Sequence, residues 1–98
     1  MNDVTAHFGI LYVDLFIGSA QSLKQKRMVL RSLKDRVRQK FNASISELGG
    51  QDKWQVCTLG IAMIGSDKRH MDACLQHILS FIVSYHAVDI CQHDIEFF

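Results

Sequence analysis

Phe8-Gly-Ile-Leu-Tyr-Val-Asp-Leu-Phe-Ile17-Gly18-Ser19 is the stretch on which the fold turns. From Phe8 to Ile17 it is almost continuously apolar, and two small residues then stop it. That length and composition fit a central strand buried on both faces. Along it Phe8, Ile10, Tyr12 and Phe16 alternate to one side, and Leu11, Val13, Leu15 and Ile17 to the other. A second apolar run, Gln55–Ile64, stops at the same kind of signal, Gly65-Ser66. The echo is short and reflects a repeated strand–helix unit.

Each run leads into an amphipathic segment. In Ser22–Phe41 the residues Leu23, Val29, Leu30, Leu33, Val37 and Phe41 share one face at helical spacing. Ser22 and Gln25 have the spacing of a capping box, in which the hydroxyl accepts from an early backbone N–H. In Asp67–His86 the apolar face is Met71, Cys74, Leu75, Ile78, Leu79 and Ile82. Ala43–Leu48 alternates Ser with apolar residues, as an outer strand does, and Gly49-Gly50-Gln51-Asp52 supplies a hairpin turn. Ala87–Phe98 reads as a last strand.

The order strand, helix, strand, strand, helix, strand predicts an α+β fold. With right-handed crossovers it is a ferredoxin-like βαββαβ sandwich, a four-stranded antiparallel sheet with two helices on one face. The 98 residues, 48% hydrophobic and without Pro, make one domain spanning 1–98, with no linker composition inside it. The open sheet face, carrying Phe8, Ile10, Tyr12 and Phe16, is expected to need a partner, and symmetric pairing into a homodimer is the plainest solution. The strand motif of RNA-binding sheets, rich in rings with Gly and basic residues, is missing from Gln55–Ile64.

The three cysteines, Cys57, Cys74 and Cys91, sit in apolar runs without close spacing, which points to a reducing cytoplasm and against disulfides. The opening Met1-Asn2-Asp3-Val4-Thr5 lacks the build of a signal peptide, and no apolar run is long enough to span a bilayer. No membrane partner is expected.

Charge is distributed unevenly. Ser22–Phe41 holds eight of the eleven Lys and Arg residues and one acid, Asp35, so it carries +7 within a chain of net +1. Lys24, Arg27, Arg31, Lys34 and Arg38 follow steps of 3, 4, 3 and 4 and form one stripe along a helix. A solvated helix face usually mixes signs, and this one does not. Such a stripe suits phosphates, which makes RNA a candidate partner. The first and third strands are expected to run parallel, so that both helices start at one edge. Lys24, Lys26 and Arg27 would then meet Lys68, Arg69 and His70 where outward backbone N–H groups favour an anion. Lys26 falls inside the apolar arc, so snorkelling is the alternative for it.

Other constellations are weaker. His70, Cys74 and His77 share a side of the second helix, but packing with two surface imidazoles explains them better than zinc does, and no metal or cofactor is expected. Trp54, with Gln51, Asp52 and Gln55 around it, either closes one end of the core or presents a docking surface. Acylphosphatases share the architecture, but their phosphate cradle carries an Arg where this chain has Gly18-Ser-Ala-Gln-Ser22. No nucleophile set or phosphate-binding Gly-rich loop is argued by spacing, so no enzyme activity is expected.

Ala20-Gln-Ser-Leu-Lys-Gln-Lys-Arg27, Gln51-Asp-Lys-Trp-Gln55 and Leu59-Gly-Ile-Ala together resemble the YlxP-like bacterial family of unknown function, across most of the chain. The resemblance implies a small cytoplasmic protein of ferredoxin-like fold with no established activity. The family's genes often neighbour those of translation and ribosome-maturation factors, so it also implies association with RNA or ribosomal particles. The positions it singles out are Ser22, Leu23, Lys24, Lys26, Arg27, Gln51, Asp52, Trp54 and Gln55. The Gly49-Gly50 pair and the Cys and His content depart from the family pattern.

Two readings follow. One is a non-enzymatic protein binding RNA through the basic first helix. The other is a dimeric structural or regulatory module whose basic edge holds a small anionic ligand or an acidic protein.

Overall fold

A computed structural model describes residues 3–98, and of the opening pentapeptide Met1 and Asn2 lie outside the described residues. The elements are β1 (His7–Phe16), α1 (Leu23–Lys40), β2 (Ser44–Gly49), β3 (Val56–Gly65), α2 (Lys68–Ser84) and β4 (Asp89–Phe97). They form one sheet in the order β2-β3-β1-β4, antiparallel throughout, with both helices on one face. This is the ferredoxin-like architecture expected from the element order. Among the described residues no helix is long and apolar enough to cross a membrane.

The alternation along β1 sorts as its sequence dictates. Leu11, Val13, Leu15 and Ile17 lie beneath the helices with almost no exposure, while Phe8 and Phe16 stand on the bare side. From β3 come Cys57, Leu59 and Ile61, from α1 Leu30, Leu33 and Val37, and from α2 Leu75, Ile78, Leu79 and Ile82. Burying each Leu or Ile fully is worth about 1.5–3 kcal/mol, so this single layer holds the domain together. Cys74 is the exception on the apolar face of α2, only half-buried. The helices are tied to each other by the Tyr85 hydroxyl, just past the end of α2, donating to Ser32 Oγ in the middle of α1 at 2.8 Å, and by an edge-to-face Phe41–Phe81 pair.

Helix starts follow local chemistry. Ser22 caps α1, its Oγ accepting from Gln25 N at 3.1 Å. Gln25 reaches back to accept from Gln21 N, one residue earlier than the usual capping-box donor. Asp67 caps α2, its carboxylate accepting from the Arg69 and His70 amides. At the hairpin, Gly50 has φ +76°, a conformation that disfavours a side chain.

One expected relationship is corrected. β1 and β3 run antiparallel, with Phe16 opposite Val56 and His7 opposite Gly65. In this topology the crossover makes β1 parallel to β2, and the hairpin then reverses the chain into β3 between them. α1 therefore starts beyond Phe16 and α2 beyond Gly65, at opposite ends of the sheet. Ten residues of strand set those ends roughly 30 Å apart.

Candidate nucleic-acid interface

The basic stripe lies along the flank of α1 that borders β2. Arg27, Arg31, Lys34 and Arg38 line a shallow groove of about 390 Å³ together with Asp35 and Glu47. Four cations against two carboxylates leave the groove positive. Within it the partners are uneven. Lys34 Nζ sits 3.5 Å from Glu47 Oε1, with both side chains about three-quarters covered. Arg38 lies 3.6 Å from Asp35 and also donates to the Ile45 carbonyl at 3.3 Å. Lys24, Arg27 and Arg31 are exposed and make no ion pair among the described residues.

The other predicted cations do not join them. Lys68 and Arg69 start α2 at the far end, and Lys68 Nζ stands 4.9 Å over the Phe97 ring. No shared anion edge exists, because the antiparallel register separates the two helix starts.

Lys26 is corrected as well. It neither snorkels nor faces a ligand: it is 2% exposed, and its ammonium donates to the Gly50 and Lys53 carbonyls, both at 2.5 Å. Gln55 makes a second tie at the same end, its Nε2 donating to the carbonyls of Gly18 and Ala20 at 3.3 Å each. Ile17 N also donates to the Gln55 carbonyl at 2.7 Å. The two segments singled out by resemblance, around Ser22–Arg27 and Gln51–Gln55, thus grip each other's loops. Of the expected docking surface, Trp54 is exposed rather than closing the core, Asp52 is exposed beside it, and Gln55 is turned inward. Gln51 is exposed and donates to the Glu47 carbonyl at 3.4 Å.

His70 Nε2 and Cys74 Sγ lie 3.6 Å apart in a cleft that also holds Met63 and Met71. His77 lines a different depression, beside Lys40 and Phe81, so the three do not converge. Cys57 lies in the core, where burial, helped by the Glu47 charge, pushes its thiol from 9.0 up to about 11.

Sequence reasoning missed Glu47 as the partner of Lys34, and Gly18 and Ala20 as the partners of Gln55. No periodic signal reports pairs that meet only when a strand lies beside a helix.

The fold has a counterpart in a solved structure, the de novo designed protein Foldit4, at TM-score 0.55 over 94% of this chain and 96% of that one, with 10% identity. That likeness concerns architecture alone. The uncharacterized protein YlxP of Bacillus subtilis (strain 168) is 42% identical over 81 residues, 83% of this chain and 88% of that protein. A family model described as a protein of unknown function, DUF503, matches residues 8–95. With the matched region running from β1 into β4, this chain belongs to the DUF503 family.

Proposed function

We propose that this chain is a non-enzymatic binding protein that meets phosphates of structured RNA, as on ribosomal particles, through the β2-side flank of α1. The observation that carries this reading is the run of exposed cations Lys24, Arg27 and Arg31, unpaired with carboxylates among the described residues and continued by Lys34 and Arg38. From Lys24 to Arg38 the stripe extends roughly 21 Å along the helix axis. A rigid row of that length suits repeated phosphates better than one small anion. A small ligand bridging the two helix starts has no place to sit, since those starts lie at opposite ends of the sheet.

The test is binding of a fluorescent RNA hairpin at increasing salt. Neutralising several phosphates gives a log–log slope well below −1, and replacing Arg27, Arg31 and Lys34 together by Glu abolishes binding. Salt-insensitive binding, or undiminished binding by the triple variant, overturns the proposal.

A further inference from the structure

The face of the sheet away from the helices is both apolar and acidic. Among the described residues, six of the ten large apolar side chains that stand exposed lie on it: Phe8, Phe16, Leu48, Val56, Ile64 and Phe98. Phe8 and Phe98 stack with ring centroids 4.9 Å apart, and Ile64, opposite Phe8 in the register, is 75% exposed. Down the middle, β3 presents only the small residues Ala62, Gly60 and Thr58 between them. Leu48 overhangs Gly60 so closely that a Cβ there would collide with it.

Along the β4 side of this face runs a line of carboxylates. Asp89, Asp94 and Glu96 on β4 stand opposite Phe16, Tyr12 and Ile10 of β1, and therefore share their face. Asp14 adds a fourth, accepting from the Thr58 hydroxyl at 2.6 Å. None of the four is in an ion pair among the described residues, and no strand contains a Lys or Arg. A depression of about 460 Å³ lies between Tyr12, Asp14, Asp94 and Glu96.

This combination selects among occupants. Stacked RNA bases would bring phosphates against four carboxylates. A second copy has the same negative sheet. Eight of its eleven Lys and Arg residues lie on α1, where Met28 is the only large apolar side chain with substantial exposure. The other three, Lys53 beside exposed Trp54 and the Lys68–Arg69 pair, are split between two ends of the sheet, so no one surface of it matches both the apolar face and the four carboxylates. A helix with an apolar stripe and Lys or Arg along one border offers both.

We propose that the bare sheet face docks a cationic amphipathic helix of another protein, its apolar stripe over the exposed side chains of β1 and β3 and its cations over Asp94 and Glu96.

The test uses the full chain, ¹⁵N-labelled, with two synthetic 18-residue amphipathic helical peptides, one of Leu and Lys and one of Leu and Glu. The Leu/Lys peptide is expected to bind and to shift amides of β1, β3 and β4, whereas the Leu/Glu peptide does not bind. Asp94→Lys with Glu96→Lys weakens binding at least tenfold, and Ile64→Ser, at a site exposed enough to leave the melting temperature unchanged, weakens it severalfold. The Arg27, Arg31 and Lys34 reversal leaves peptide binding intact, so this inference and the RNA reading succeed or fail separately. Equal binding of both peptides, or amide shifts confined to the helices, overturns the proposal. So does sedimentation as a dimer that protects the sheet face, which would make a second copy the occupant.

Discussion

Lys26, on the first turn of α1, donates its buried ammonium to the main-chain carbonyl of Lys53 at 2.5 Å, and to that of Gly50 beside it. This contact bolts the helix to the β2–β3 hairpin. Hydrogen bonds to a charged donor contribute about 1.5–3 kcal/mol, less the cost of keeping the charge from water. Lys26→Met keeps the aliphatic stem but orphans both carbonyls. The expected result is a loss of about 2 kcal/mol in urea unfolding, with faster amide exchange across residues 50–53. An unchanged midpoint would mean that the ammonium contributes nothing net.

Lys68 and Arg69 belong to the end of the sheet where β3 finishes, and Lys24 and Arg27 to the end where β1 finishes. The separation of roughly 30 Å well exceeds the screening length of about 8 Å at physiological ionic strength. Replacing Lys68 and Arg69 by Glu should leave hairpin-RNA affinity within about twofold of the parent, whereas the α1 triple reversal removes it. Equal losses from the two variants would require a surface that wraps the whole domain.

Glu47 competes with any polyanion for Lys34, which it holds at 3.5 Å. Partly exposed pairs of this kind contribute about 0.2–1 kcal/mol. Glu47→Gln should therefore strengthen RNA binding, up to about fivefold, and steepen its salt dependence. Anisotropy titrations of the two proteins at matched ionic strength read this directly. Weaker binding by the variant would show that Glu47 positions Lys34 rather than occupying it.

Cys57 has its thiol pushed up to about 11 by burial first and by Glu47 second. The folded state keeps this proton at pH values where the unfolded chain, with its ordinary value of 9.0, loses it. Stability from this group is thus complete below pH 9 and declines as pH rises through 11. Alkylation of the native protein should label exposed Cys91 first and spare Cys57 until unfolding. Cys57→Ala should flatten the fall in melting temperature over that alkaline window.

The legible part of the molecule was whatever repeats along the chain. Alternation in Phe8–Ile17 separated the core side of β1 from its bare side, and the 3–4 spacing of Leu30, Leu33 and Val37 set the inner face of α1. The same spacing set Lys24, Arg27, Arg31, Lys34 and Arg38 in one line. Ser22 was recognisable as a cap because a cap bonds within three residues of itself. Lys26 resisted that logic: its place in the apolar arc was readable, but its two acceptors lie 24 and 27 residues away.

Elements, their order and the charged flank of α1 were determined by the sequence by itself, since periodicity and capping act over a few residues. The end of the sheet from which each helix starts already followed from that order of crossover and hairpin, and the tertiary structure alone decided what the Lys26 ammonium touches and that four carboxylates gather beside bare aromatic rings. The physical reason is that register and long-range side-chain contacts are set by pairing between segments far apart in the chain, and no local pattern records them.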